Sequence, residues 1–435
     1  MRFKLPDKVM YVIKTIKGQG FDCYLAGGTI RDLILGDEPK DWDLATNIHR
    51  KELSKLFQNQ LSIKSDYHVS KLIFDDTELQ IAEFRNEGGY KDGRHPDFIE
   101  TGVTLEEDAK RRDFTVNAIY YDPIKSKIFD HVDGMIDIKK KQIRTIGEPS
   151  TRFSEDHLRI LRAIRLAGKL NFKIEKKTFS GIVSTSSLTK KIAGERITSE
   201  ISSMLLSKNT FHTIELLAKS KILHLLFSRD LSLPEFNEKI LKDFKHTKKI
   251  FQSIFTTSLP VLWAIFLRSL YTNHNDRKGS SKISPDSEQI CDEISNLLKL
   301  RLKFNNTKKN HILAIFQNQD AITNSNRKES KIWKRTLRKP FFKESLEFYG
   351  IMRTSNRKDL EIFDFWQEKL ANTTPSEFNP KKLIKGNDLI KLGFKEGPEL
   401  HKILNVIEEE QLENKIKNKE DAIEFIVRKF KKSIN

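Results

Sequence analysis

Two aspartates one residue apart, Asp41 and Asp43 in "KDWDLAT", are the side chains with the most chemistry to offer. On a strand, side chains two apart share a face, so both carboxylates would project together while Trp42 turns into the opposite layer. Such a pair suits Mg2+, a hard cation commonly held by one or two carboxylates plus the phosphates of its substrate. A metal so placed polarises an α-phosphate and helps an attacking hydroxyl. Upstream, Gly27 and Gly28 follow the apolar stretch "CYLA" and precede "TIRDLILG", which reads as a short helix. Residues without side chains at a strand-to-helix turn let backbone N–H groups approach phosphates. Arg31, on the first turn, adds a charge-assisted contact to a triphosphate, and Asp32 reads as the structural partner of a nearby basic group. Singly, the glycine pair reads as a common turn and the aspartates as a solvated acidic loop. The 12 residues between Gly28 and Asp41 join them into one pattern.

Three later stretches carry comparable groups. In "RRDFTVNAIYYD", residues 111–122, the adjacent Arg111 and Arg112 beside Asp113 offer anion binding and an orienting carboxylate, and Asn117 both donates and accepts toward a ribose hydroxyl. A basic surface patch explains the same residues. In "SEDHLRILRAIRLAGKL", Asp156, Arg159, Arg162 and Arg165 recur every three residues and line one slowly drifting helix face, with Ser154 as the expected cap and Glu155 and Asp156 in the first turn. An exposed face with i, i+3 ion pairs fits equally. In "AGERI", Glu195 and Arg196 suggest an ion pair or a helix cap.

The elements that must hold these groups change character along the chain. Up to about residue 148, β-like runs ("CYLAG", "KLIFDD", "LQIAEF", "NAIYYD", "KIFDHVDG") alternate with glycine-bearing turns, which predicts an α/β or α+β head. After Pro149 the apolar residues fall three and four apart, as in "GERITSEISSMLL" and "TFHTIELLAKSKILHLLF", so the remaining two thirds are expected to be largely α-helical. Four domains are expected: a catalytic head over 1–148, a helical neck over 149–228, a helical body over 229–371 and a helical tail over 372–435. The polar segment 272–287, "TNHNDRKGSSKISPDS", reads as an exposed loop.

The chain of 435 residues is 37% hydrophobic and 32% charged, and no apolar run nears the roughly 18 residues a bilayer span requires, so no membrane association is expected. Only Cys23 and Cys291 are present, without histidines at ligand spacing, which predicts neither a disulfide framework nor a zinc site and fits a reducing cytoplasm. The N-terminus lacks the apolar core of a secretion signal. A net charge of +18 suits a polyanionic partner, and a lysine-rich compositional bias accounts for it as readily.

The ordered motifs together resemble the class II nucleotidyltransferases of the polymerase beta superfamily, the group holding eubacterial and eukaryotic tRNA CCA-adding enzymes and bacterial poly(A) polymerases. The resemblance implies that Gly28 and Arg31 face the nucleotide and that Asp41 and Asp43 hold Mg2+. It implies that Arg111, Arg112, Asp113 and Asn117 surround the sugar and phosphates. "DHVDGMID" resembles the third motif, giving Asp133, Gly134 and Asp137 a hinge or structural role. The helix around 156 matches the family's Glu-Asp-x-x-Arg motif, whose Asp and Arg read the incoming base. An arginine offers only donors and an ionised Asp only acceptors, so Asp156 and Arg159 complement cytosine or adenine and mismatch guanine or uracil. Arg162 and Arg165 are better placed for phosphates, and Glu195 with Arg196 steadies the base-reading helix. Glu83, at the end of "LQIAEF", is a third candidate carboxylate, although the class II branch usually manages with two.

The resemblance also narrows the substrate. Residues 83–100, "EFRNEGGYKDGRHPDFIE", have the composition of a mobile loop, and family members that add only the two cytidines lack such a loop. "SIKSDYHVSKLIF" lacks the Gly-basic-basic-Phe signature of the poly(A) polymerases, as well as the glycine that the tRNA enzymes show near Ser65. The tail, "LIKGNDLIKLGFKEGPELHKIL" onward, resembles the tRNA-gripping tail of bacterial CCA-adding enzymes, with a helix starting at a cap-forming Asn387, a stop at Gly393, and Pro398 opening the next helix. His401 and Asn414 stand where that family shows glycine. The resemblance thus implies transfer of CMP and AMP from CTP and ATP to the 3′ end of tRNA. An A-adding tRNA enzyme, a poly(A) polymerase and, remotely, a non-catalytic RNA-binding protein are the alternatives.

Overall fold

The computed structural model describes residues 1–58, 61–62, 69–74, 77–227, 258–271, 287–353 and 357–430, in two compact units, Met1–Ile240 and Leu241–Asn435. The expected boundary at 228–229 and all but the last residue of the loop over 272–287 lie outside the described residues. So do residues 63–68, around the position where a family glycine was sought.

The first unit opens with α1 (Asp7–Gly18), which buries Val9, Val12, Ile13 and Ile16, the i, i+3, i+4, i+7 stripe of an amphipathic helix. Then come β1 (Cys23–Ala26), α2 (Gly27–Leu35), β2 (Trp42–Thr46), α3 (Arg50–Leu56), β3 (Leu61–Ser62), β4 (Val69–Phe74) and β5 (Thr77–Glu83). A hairpin of β6 (Arg85–Gly88) and β7 (Phe98–Thr101) precedes α4 (Leu105–Arg111), whose start is fixed by a Thr104–Glu107 capping box. A 3-10 turn, Thr115–Asn117, leads to β8 (Ile119–Asp122), β9 (Lys127–Asp130) and α5 (Gly134–Lys139). Seven strands form one sheet in the order β3-β4-β5-β2-β1-β8-β9, in which β2 and β5 run parallel and the other described pairs antiparallel: the sheet is mixed and the head is α+β.

After β10 (Gln142–Ile143) the unit is helical apart from β11 (Lys173–Ile174): α6 (Pro149–Glu155), α7 (Leu158–Leu170), α8 (Lys176–Thr185), α9 (Gly194–Leu205), α10 (Thr210–Lys219) and α11 (Ile222–Phe227). Two expectations are corrected here. The helix predicted to run from a Ser154 cap is two helices, because Asp156 takes an extended conformation (φ −130°, ψ 105°) and its carboxylate instead accepts the Leu158 N–H at the start of α7. The stretch over 83–100, expected as a mobile loop, contains an antiparallel hairpin in which 85–88 pair with 98–101 and Glu87 stands opposite Ile99.

Among the described residues the second unit holds helices and no strand. Its cores form around Val261, Ile265, Ile315 and Phe348, then around Trp366 with Leu346 and Tyr349, and in the tail around Leu389, Ile403, Ile407 and Ile426. The tail helix Pro398–Leu412 is joined to the helix Ser330–Leu337 by the buried Lys334 ammonium, which donates to the Leu412 carbonyl at 2.6 Å, and by an Arg335–Glu409 ion pair at 2.9 Å. The first tail helix begins at Gly386, one residue before the expected Asn387, with the Asp388 carboxylate accepting the Lys385 N–H. Asn414 holds φ +58°, the left-handed backbone that a glycine would adopt without strain. No helix among the described residues is long and apolar enough to cross a membrane.

Candidate active site

A cavity of about 640 Å³ in the first unit gathers Gly27, Gly28, Arg31, Asp41, Asp43, Arg111, Arg112, Asp113 and Asn117 from the head with Asp156, Arg159, Arg162, Arg165 and Arg196 from the helical part. It leaves out Glu195 and the third candidate carboxylate, Glu83. The Glu195 side chain is exposed in the first turn of α9, and Arg196 beside it reaches Asp156, 3.4 Å away.

The carboxylate pair sits where the sheet meets α2. Asp43 lies in β2, while Asp41 precedes the strand, which starts at Trp42. Gly27 makes the turn from β1 into α2 with φ +64°, and a Cβ there would lie 3.3 Å from Arg112 Nη1 and 3.6 Å from Asp43 Oδ2. The turn therefore needs glycine twice over, for its backbone and for the close approach. Burial raises the Asp43 carboxyl above its usual value; the nearby Arg112 lowers it and Asp41 adds to the rise. Two neighbouring carboxylates, in a polar cavity with arginines on its walls, fit a divalent cation that brings its own phosphate ligands.

Glu83 is excluded as a third ligand by strand parity. Asp43 pairs with Gln80 and Ala45 with Ala82, and both Gln80 and Ala82 line the cavity; Glu83 pairs with Thr46, three residues beyond Asp43, and so faces the other side of the sheet. Among the described residues no group of three or more His, Cys, Asp or Glu is placed to hold a metal.

A chain of polar contacts ties this corner to α7. Arg31 is buried and donates to Asp32 Oδ1 (2.8 and 2.5 Å) and to Asn117 Oδ1 (2.5 Å). Asp32 also takes Lys169 of α7 at 3.1 Å, the structural partnership expected of it. Asn117 donates in turn to Asp113, whose second oxygen receives Arg162 at 2.8 and 2.5 Å. Burial opposes charge on Asp113, but Arg162 outweighs it and holds the carboxyl well below the ordinary range. Arg162 is thus clasped by the head, and Arg165 by Glu200 of α9 at 2.6 Å. Arg111 and Arg112 share the buried Asp108, and Arg112 also donates to the Tyr120 hydroxyl at 2.9 Å.

The end of the cavity near Asp156 involves residues that sequence reasoning passed over. Glu155 accepts Arg159 Nη1 at 2.6 Å and Arg152 at 2.5 Å, so it orients the arginine expected to read a base. From the hairpin, Tyr90 lies with its ring centroid 5.6 Å from the Arg159 guanidinium and donates its hydroxyl to Glu87 at 2.7 Å. Glu87 in turn stands 3.7 Å from Arg111 and 4.0 Å from Arg159. The sequence carries no signal for Glu87: "RNEG" shows no apolar–polar alternation, and the glycine-rich stretch around it reads as loop. The hairpin tip docks through Gly93, at φ +68°, where a Cβ would lie 2.3 Å from the His157 ring and whose carbonyl accepts the His157 N–H. Below the cavity, Asp137 is buried and accepts Thr115 Oγ1 and Arg144 Nε at 2.6 and 2.8 Å, a bracing role in line with the structural reading of its motif.

Comparison with known proteins follows the same division. Residues 23–144 match the Poly A polymerase head domain, 171–239 the "Probable RNA and SrmB- binding site of polymerase A", and 287–427 "tRNA nucleotidyltransferase domain 2 putative". The CCA-adding enzyme of Lactococcus lactis subsp. cremoris is 30% identical over 436 residues, covering 98% of each chain. That of Enterococcus faecalis is 39% identical over 198 residues, 46% of this chain and 48% of the relative. The crystal structure of the Bacillus stearothermophilus CCA-adding enzyme in complex with CTP shares the fold, with a TM-score of 0.75 over 99% of both chains at 21% identity. An identity of 30% sustained over 98% of both chains makes this chain a member of the CCA-adding enzyme family.

Proposed function

We propose that this chain is a template-independent, Mg2+-dependent nucleotidyltransferase that adds CMP and AMP, from CTP and ATP, to the 3′ end of tRNA in the cytoplasm. The observation that carries the reading is the single cavity joining Asp41 and Asp43 to Asp156, Arg159 and Arg196: one end suits a metal-bound triphosphate, the other a base edge. The two cysteines are unpaired thiols, as a reducing compartment allows.

The reaction is attack of the RNA 3′-hydroxyl on the α-phosphate with departure of pyrophosphate. Asp41 and Asp43 hold the divalent ion, which when bound polarises the α-phosphate and offsets charge on the leaving group. Gly27 and Gly28 let backbone approach the phosphates, and Arg31, Arg111 and Arg112 surround them with positive charge. Asn117 and Asp113 meet the ribose. Asp156 accepts from and Arg159 donates to the base edge, which selects cytosine and adenine without a nucleic-acid template. Arg196 steadies Asp156, and Glu155 steadies Arg159. Arg162, through its clasp with Asp113, holds α7 against the head, and Arg165, through Glu200, holds α7 against α9. Rate acceleration comes from positioning and charge stabilisation rather than covalent chemistry.

The test supplies the purified chain with tRNA ending before CCA, tRNA ending after CC, and an unstructured RNA, each with labelled CTP or ATP. Incorporation of C and then A into the first RNA is expected. Incorporation of A into the second RNA alone would identify an A-adding enzyme, and long tails on the third a poly(A) polymerase. Asp41→Ala should lower transfer by a factor of about 10³ or more while tRNA binding persists; full transfer by this variant would refute the metal assignment.

A further inference from the structure

Asp41 presents a problem that strand pairing does not solve. β1 is hydrogen-bonded to β2 only as far as the Leu25–Leu44 pair, because the chain leaves the sheet at Gly27 to enter α2. Asp43 lies one residue past that last pair, and Asp41 lies outside β2 altogether. On the β1 side, the ladder that would aim both carboxylates stops short of them.

Thr29, in the first turn of α2, takes over. Its hydroxyl donates to the Asp41 carbonyl at 2.9 Å and accepts the Asp43 N–H at 2.8 Å, bridging the backbones of the two residues with one oxygen. The side chain is 1% exposed, so water does not readily replace either bond. Thr29 also belongs to the helix whose start carries Gly27 and Gly28, so a single side chain keys the carboxylate pair to the phosphate-facing turn.

Resting on the reading of Asp41 and Asp43 as metal ligands, we infer that Thr29 is a positioning residue for the divalent cation: its bridging hydroxyl sets the relative aim of the two carboxylates. Thr29 borders the cavity, but its hydroxyl is taken up by the two backbone bonds, so it acts on the carboxylates through the backbone. Serine keeps both hydrogen bonds. Valine keeps the shape and leaves the Asp41 carbonyl and the Asp43 N–H, both part-buried, without this partner.

The experiment uses the full chain with CTP and Mn2+ as a paramagnetic probe, with free Mn2+ followed by electron paramagnetic resonance. Thr29→Val is expected to weaken Mn2+ binding by about tenfold or more. Thr29→Ser should stay within about threefold of the unsubstituted chain, since its hydroxyl makes the same two bonds. Transfer by the valine variant should recover as Mn2+ is raised to saturation, which a merely structural defect would not do. Should the valine variant fold poorly, the serine and alanine variants carry the comparison, with the loss expected only in alanine. Unchanged Mn2+ affinity in the valine or alanine variant, equal loss in serine, or a transfer defect indifferent to Mn2+ would overturn the assignment. The metal reading itself fails separately, if Asp41→Ala and Asp43→Ala bind Mn2+ as tightly as the unsubstituted chain.

Discussion

Arg159 shows how much of a residue's role depends on its neighbours. Its guanidinium is 6% exposed, held by Glu155 and by the Arg152 carbonyl at 3.1 Å, and covered by Tyr90. A buried arginine with so many contacts loses little freedom when a base arrives, which is the condition for discrimination by a fixed donor array. In Arg159→Ala, discrimination against GTP and UTP should therefore fall by roughly tenfold or more, a bidentate base contact being worth about 1–3 kcal/mol. Competition between labelled CTP and unlabelled UTP in single-nucleotide addition measures it; unchanged discrimination would remove Arg159 from base reading. The spacing of Arg159 from Asp156 was legible in the sequence. Its clamp, Glu155, was also visible, yet it was read as a favourable first-turn charge because the helix was taken to be continuous.

At the scale of elements, α4 anchors the site. Its last turn carries Asp108, 1% exposed, which receives Arg111, Arg112, the Tyr120 hydroxyl at 2.5 Å and the Arg85 N–H at 3.3 Å. One carboxylate thus joins the helix, the sheet and the hairpin. Burial pushes the Asp108 carboxyl up, but Arg112, Arg111 and Tyr120 outweigh it and bring it from the usual value near 3.8 down to about 2. A carboxyl depressed in the folded state stabilises the fold above the unfolded value, and that contribution is lost as pH falls from about 4 through about 2. The size is about 2 kcal/mol, and Asp108→Asn should cost at least that at neutral pH while flattening the acid limb of stability over the same interval. Thermal midpoints between pH 5 and pH 2 check it; an acid limb identical to that of the unsubstituted chain would contradict it.

For the whole molecule the decisive quantity is the net charge of +18. Phosphate contacts release counterions, so affinity for tRNA should fall steeply with salt, by at least about tenfold between 50 and 200 mM, while the KM for CTP changes far less. Fluorescence anisotropy with labelled tRNA reads the slope, and a flat response would detach the charge from RNA binding. Charge by itself left a compositional bias as an equal explanation. The salt slope, rather than the sum of lysines, selects between the two readings.

Local chemistry was enough to foresee the head of strands and helices and the helical remainder, the carboxylate pair, the glycine turn and the triplet spacing of α7, because each depends on residues within a turn or a strand of one another. Three features depended on distant partners and had to wait for the fold. Strand parity against β5 turned Glu83 to the far face, a matter of register that neither strand encodes alone. The extended backbone at Asp156 split the expected helix, its carboxylate capping α7 while Gly93 of the hairpin accepts the neighbouring His157 N–H. Arg162, expected to meet phosphate, is clasped by Asp113, 49 residues away in sequence. Periodicity reports which way a side chain points relative to its own helix or strand; what it meets there is set by the packing of one element against another.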